Sequence, residues 1–342
     1  MKQNRHINRV AVIGSGIMGS RIACHFANIG VEVLLLDIVP FDLTEEQKQD
    51  KQIRNSIVNE AIKNTLKSKP SPIYSKEFVS RITTGNLEDD LHKITNVDWI
   101  IEVVVERLDI KKQVFEKIEK HRKEGTLISS NTSGIPIESM LDGRSADFQK
   151  NFCGTHFFNP PRYLKLLEII PTSKTDSEIV DFLMMYGNKF LGKDMVLCKD
   201  TPAFIANRIG VANIMSLFHL VDELDLTVEE VDSLSGPIIG RPKSATFRTC
   251  DLVGLDTLIH VANGVFENCP NDEMRSQFEL PDFIKQMSKN KWIGDKTGQG
   301  FYYYKNNHAQ KQKHFPAPDA QLQDRLIFSM LNQAAACLEE SI

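Results

Sequence analysis

Two hydrophobic rhythms alternate along the first 130 positions of the chain. Arg9 to Ile13 is a β-branched run that stops at Gly14 and predicts a buried strand. Ile17 to Asn28 has helical spacing and ends at Gly30, and Val31 to Asp37 is a second strand-like run that closes on an acid. Arg81 to Thr84 and Trp99 to Val105 predict further buried strands, Leu108 to about His121 a helix, and Thr126 to Ser129 another strand. Between them, Thr44 to about Lys69 is charged and helix-prone, with apolar residues at Ile53, Ile57, Val58, Ala61, Ile62 and Leu66 before Pro70 and Pro72 end it. This stretch reads as a protruding helical pair, or arm.

Phe152 to Phe157 and Leu164 to Ile170 are two more strand-like runs, separated by Asn159-Pro160-Pro161-Arg162. That spacing predicts an antiparallel hairpin closing an otherwise parallel sheet. From Pro202 the pattern turns helical, over Phe204 to Glu223, Thr227 to Ser235 and Leu252 to Glu267, and the segment Leu322 to Glu340 is amphipathic as well. The expected organisation is therefore an α/β domain over about 1–200, carrying the arm at about 44–69, and an all-α domain over 201–342. A length of 342 residues agrees with two domains rather than one core.

Composition narrows the chemistry. A formal charge of -4 offers no global basic field for nucleic acid or an anionic membrane. No apolar run approaches the roughly 20 residues of a membrane span, and the charged N-terminus lacks a signal-peptide pattern. Six scattered cysteines, without Cys-x-x-Cys spacing or a nearby histidine pattern, indicate neither a disulfide framework nor a metal site, and reduced thiols fit a cytoplasmic location.

The first chemical motif is Gly14-Ser15-Gly16-Ile17-Met18-Gly19. Three spaced glycines are weak evidence alone, but here they follow a predicted strand and open a predicted helix. In that context Gly14 permits the tight turn, Gly16 lets backbone approach a pyrophosphate and Gly19 allows close helix packing, as in a Rossmann dinucleotide site. Asp37 ends the second strand about 20 residues later, where a carboxylate accepts from adenosine ribose hydroxyls and repels a 2′-phosphate. NAD is thus expected over NADP.

The second motif is a pair. His156 and Glu168 stand 12 positions apart, and a hairpin centred near Arg162 places them opposite each other on one face. A carboxylate holding one imidazole nitrogen leaves the other to take a proton from a substrate hydroxyl, which alcohol oxidation by hydride transfer requires. By spacing alone, a strand histidine satisfied by a surface acid is an equal reading.

Taken in order, "VAVIGSGIMGSRIA", "NTSGIPI", "GTHFFNPPRYLKLLEII", "KDTPAFIANRI", "DLVGLDTL" and "DKTGQGFYYY" resemble the 3-hydroxyacyl-CoA dehydrogenase family, from about Asn8 to Tyr304. The resemblance implies a Rossmann domain followed by a helical domain, with an acyl-CoA substrate oxidised in a cleft and NAD as cofactor. It assigns His156 as the base and Glu168 as the residue that orients it. It assigns Ser133, Asn159 and Asn207 to hydrogen bonds with the substrate or the catalytic histidine, and places Glu106, Lys111 and Asn131 beside the cofactor with Gly14, Gly16, Ile17, Met18, Gly19 and Asp37. Glu106 and Lys111 are five apart and poorly spaced for one helix face, so an ordinary solvated pair stays open. The arm from Gln47 to Lys69 resembles the family's acyl-CoA-contacting helices, and Lys63, Lys67 and Lys69 are as readily a solvated face.

After Val231 the wording "SGPIIGRPKSATFRTCDLVGLD" departs from the short mitochondrial type and looks more like larger fused enzymes in which a dehydrogenase precedes an enoyl-CoA hydratase module. Together with an uncapped amphipathic end at Ile342, this predicts an N-terminal fragment of a longer multifunctional fatty-acid oxidation enzyme, and a homodimer is also expected. Two rivals stand beside this reading. One is a β-hydroxyacid dehydrogenase of the 6-phosphogluconate type, which relies on a lysine of the helical domain; the other is an NAD-binding protein without turnover.

Overall fold

The β-branched runs of the first 200 residues form strands because both faces of their sheet are covered. The computed structural model describes residues 5–224, 226–305, 308–309 and positions 324, 328, 331–332 and 334–335. It divides into two units, Met1–Asp200 and Thr201–Ile342.

The first unit holds strands β1 (Arg9–Ile13), β2 (Glu32–Asp37), β3 (Ile82–Asn86), β4 (Trp99–Glu102), β5 (Leu127–Ser130), β6 (Phe152–Phe157), β7 (Leu166–Pro171) and β8 (Asp194–Leu197). They make one sheet in the order β3-β2-β1-β4-β5-β6-β7-β8. Every neighbouring pair is parallel except β6 and β7. Helices α1 (Ile17–Asn28), α2 (Lys51–Arg54), α3 (Ser56–Lys67), α4 (Leu108–His121), α5 (Ala146–Lys150) and α6 (Ser177–Lys189) connect them.

Alternation along β1 sends Val10 and Val12 to one face, where they join Ile22 and Phe26 of α1, Trp99 and Ile101 of β4, and Leu183 and Tyr186 of α6. Trp99 lies edge-on to Phe26 at 5.4 Å and to Tyr186 at 6.3 Å. Phe115 of α4 and Phe148 of α5 pack with Phe152 in a second aromatic cluster. Each such fully buried side chain contributes about 1.5–3 kcal/mol by leaving water.

Several expectations need correction. The hairpin is present, but β8 pairs parallel to β7 beyond it; α6 and β8 have no counterpart among the elements expected from periodicity. The strand expected to reach Val105 ends at Glu102, whose own carboxylate accepts from the Val104 N–H at 2.7 Å and turns the chain out of the sheet. The arm is a 3-10 turn at Gln47–Gln49 followed by α2 and α3, broken at Asn55, and Lys63, Lys67 and Lys69 on it are exposed.

The second unit is helical: α7 (Ala206–Leu224), α8 (Val228–Leu234), α9 (Phe247–Val253), α10 (Leu255–Asn268) and α11 (Asp282–Lys289). Phe218, Phe247 and Phe301 meet in its core. The helix expected over 252–267 is two helices, because Gly254 takes φ +102, where a Cβ would meet Asp256 and Lys296. The amphipathic segment 322–340 lies, apart from the positions named above, outside the described residues.

Candidate active site

The C-terminal ends of β1, β2, β4, β5 and β6 and the N-terminal ends of β7 and β8 share one sheet edge. Of the residues singled out by sequence, all but Asn207 lie along it; Asn207 is in the first turn of α7, in the second unit. Strand order reverses between β1 and β4, where open α/β sheets bind their ligands.

The glycine turn sits at that reversal. Gly14 has φ +103, and a Cβ there would stand 2.5 Å from the Val103 carbonyl oxygen; a Cβ on Gly19 would run into the Gly14 carbonyl. At Gly16 the space is open, with no atom beyond its chain neighbours within 4 Å of the Cβ position. Gly16 precedes α1, no side chain caps that helix, and its first turn carries no acid. Ile17 is exposed, whereas Met18 packs into the core. An open cradle at a helix N-terminus suits a diphosphate.

Asp37 Oδ2 accepts from the Ser15 N–H at 2.6 Å and from the Ser15 hydroxyl at 2.5 Å, and Oδ1 accepts from the Ile38 N–H at 2.7 Å. The acid at the end of β2 therefore braces the glycine turn. Ser15 is not among the residues expected from sequence, although its place between two glycines is a signal for such a brace. These features fit NAD: backbone at 14–19 to hold the diphosphate and Asp37 to accept from ribose hydroxyls.

The loops after β4 and β5 are cross-braced. Lys111 is buried, and its ammonium lies 2.8 Å from Glu102 and 3.3 Å from Glu106. The alternative of an ordinary solvated pair does not hold for Lys111, which is buried, although Glu106 itself is partly exposed; Glu106 precedes α4, so helix spacing does not govern the contact. Glu106 accepts from the Thr132 hydroxyl and from the N–H groups of Ser133 and Gly134, at 3.0 and 3.2 Å. Burial alone would raise the Glu106 carboxyl, but Lys111 and these donors outweigh it and hold it below the usual carboxylate range. Asn131 Oδ1 accepts from the Phe157 N–H at 2.9 Å, tying this turn to β6.

Glu102, fully buried and absent from the sequence expectations, also accepts from Ser130 Oγ at 2.5 Å. Burial pushes its carboxyl up, against Lys111, Ser130 and the Val104 N–H. Glu102→Gln removes the main counter-charge of Lys111 and is expected to cost about 3–5 kcal/mol, toward the lower end because Glu106 remains. Urea unfolding reads this directly, and a loss under about 1 kcal/mol would show that the brace is not charge-dependent.

His156 and Glu168 stand directly opposite in the β6–β7 register. Nδ1 is 2.7 Å from Glu168 Oε2, and both side chains are buried. An ionised carboxylate only accepts, so Nδ1 donates and the Nε2 atom carries the lone pair. Beyond the pair, Asn159 Oδ1 accepts from Arg21 of α1, and Arg162 donates to the carbonyls of Ser71, at 2.6 Å, and Ile73, at 3.1 Å, behind the arm. Arg21 and Arg162 carry no sequence signal for these contacts, since their partners are remote in the chain.

A Rossmann-type sheet with an open glycine cradle and a buried His–carboxylate pair on the same edge is the arrangement of a dinucleotide-binding domain. Residues 9–201 match the NAD binding domain of 3-hydroxyacyl-CoA dehydrogenase and residues 204–304 its C-terminal domain. The chain belongs to the 3-hydroxyacyl-CoA dehydrogenase family. It is 52% identical over 305 residues to a protein of Bacillus subtilis named as a probable 3-hydroxyacyl-CoA dehydrogenase, covering 87% of this chain and 38% of that protein. A Rickettsia felis protein named as a candidate trifunctional enzyme of the fatty acid oxidation complex is 36% identical over 90% of this chain and 42% of its own length. The chain thus spans under half of each of these two relatives. Among solved structures, the (S)-3-hydroxybutyryl-CoA dehydrogenase PaaH1 of Ralstonia eutropha superposes with a TM-score of 0.71 at 25% identity, over 88% of this chain and 100% of that one.

Proposed function

We propose that this chain oxidises L-3-hydroxyacyl-CoA to 3-ketoacyl-CoA, with His156 as the base. The observation that carries the reading is the buried, in-register His156–Glu168 pair on the sheet edge that also holds the glycine cradle. His156 Nε2 takes the proton of the 3-hydroxyl, and Glu168 holds the ring and stabilises the imidazolium that forms. When bound, NAD supplies the acceptor for the hydride leaving C3. Ser133, on the turn fastened by Glu106, and Asn159, fastened by Arg21, offer polar groups to the substrate along this edge. Asn207 has the same assignment from the family resemblance.

The test is NADH oxidation with acetoacetyl-CoA, comparing the wild type with His156→Ala. Turnover that depends on His156 is expected; cofactor binding with no such turnover would return the chain to the non-enzymatic reading. The native protein is proposed to carry a hydratase module, a reading supported by the greater length of the Bacillus and Rickettsia relatives and tested by reading the gene beyond Ile342. A homodimer, checked by light scattering, and a cytoplasmic location, checked by fractionation, complete the proposal.

A further inference from the structure

The turn of the β6–β7 hairpin is short of its own donors. Pro160 and Pro161 have no N–H, and the N–H groups of Tyr163 and Leu164 both go to the Pro160 carbonyl, at 2.9 and 3.0 Å. The carbonyls of Pro161 and Leu164 are met instead by Lys193, from the link between α6 and β8. Its ammonium donates to both, lying 2.6 Å from the Leu164 oxygen. Lys193 is 3% exposed and lies 5.8 Å from the centre of the Phe157 ring. Among the described residues no carboxylate pairs with it. The same turn is joined to α1 through Arg21 and Asn159, and α1 reaches the Lys193 link through His25, whose Nε2 is 3.1 Å from the Leu191 carbonyl oxygen. The helix that opens on the glycine cradle and the hairpin that bears His156 therefore share one set of ties.

We propose that Lys193 is a positioning residue whose ammonium sets the hairpin turn, and with it the placement of Asn159 and the His156–Glu168 pair relative to a ligand on α1. This rests on the dehydrogenase reading above. A buried ammonium with only carbonyl partners is costly, and a methionine of similar length would avoid that cost. The charge therefore has an effect beyond filling space: charge-assisted bonds hold two carbonyls that the prolines leave without local donors.

Burial pushes Lys193 down to about 8. Among the titratable groups near it are His25 of α1, Asp194 and Lys165 beside it in the sheet, Tyr163 on the turn it holds and Tyr186 of α6. Burial and the Lys193 charge push His25 down to about 4, so it stays neutral above that, while Asp194 and Lys165 are exposed. The sign of the linkage separates function from folding. Between about 8 and the ordinary lysine value of 10.5, the unfolded chain holds more protons at this site than the folded one. Stability from this group thus rises with pH over that window, and any loss of turnover there through Lys193 is not unfolding.

The experiment compares kcat of the wild type with Lys193→Met and Lys193→Gln across pH in the acetoacetyl-CoA assay, with NADH affinity and backbone hydrogen exchange of the 159–165 turn measured alongside. The wild-type to Met ratio of kcat cancels the proton stoichiometry of the reaction. It is expected to be roughly tenfold near pH 6.5 and to shrink as pH rises through about 8, with NADH affinity within about twofold. Faster exchange is expected in the turn, with less in the Gln variant, which keeps neutral donors and stands in if the Met variant does not fold. A ratio near one, or one independent of pH, with unchanged exchange in the turn, overturns the proposal. If the wild type itself shows no turnover, the dehydrogenase reading fails, while the exchange data still report whether Lys193 holds the turn.

Discussion

Replacing His156 with alanine is expected to lower kcat for acetoacetyl-CoA reduction by about 10²–10⁴-fold while NADH still binds, the range that loss of a general acid–base group produces. The expectation follows from position. His156 lies on β6, across β5 from the β4–β1 reversal at which Gly14 sits, so its removal leaves the cradle untouched. Glu168→Gln is the companion measurement. Gln offers either an amide oxygen to accept from Nδ1 or an amide group to donate, so the tautomer is no longer fixed by a carboxylate. A fall in kcat smaller than that of His156→Ala, with unchanged NADH affinity, is expected. If the alanine variant kept a tenth or more of wild-type kcat, the proton would have to be handled elsewhere and the proposed mechanism would be lost.

How much of the fold and site is legible in the sequence depends on the range of the interactions. The helix at Leu108–His121 and the strand at Phe152–Phe157 are readable because their periodicity is local. The His156–Glu168 contact is readable for a related reason: a hairpin converts a separation of 12 into an opposite pair once the turn is placed. Contacts set by strand order are not readable in this way. Glu102 reaches Ser130 because β4 and β5 are neighbours, and Lys193 reaches Pro161 because β8 returns beside β7. Neither follows from periodicity within one element. The Glu106–Lys111 pair shows the opposite failure, since helical spacing does not apply to a residue that lies before the helix.

The glycine loop yields the second large effect, through the contrast between two of its positions. Gly16→Val is expected to leave the unfolding midpoint within a degree or two, because its Cβ enters open space, and to weaken NADH binding by about a hundredfold or more. Gly19→Ala is expected to behave in the opposite order, losing about 1–3 kcal/mol of stability because its Cβ runs into the Gly14 carbonyl. Calorimetry for stability and fluorescence titration for NADH separate the two outcomes. Should Gly16→Val bind NADH as the wild type does, the open space beside α1 is not where the diphosphate lies. The contrast also bears on Asp37, whose bonds to Ser15 hold the segment between Gly14 and Gly16. Loss of that carboxylate is expected to weaken NADH binding through the shape of the turn as well as through the ribose. An Asp37→Ala variant should accordingly lose more affinity than the removal of one ribose hydroxyl from the cofactor does.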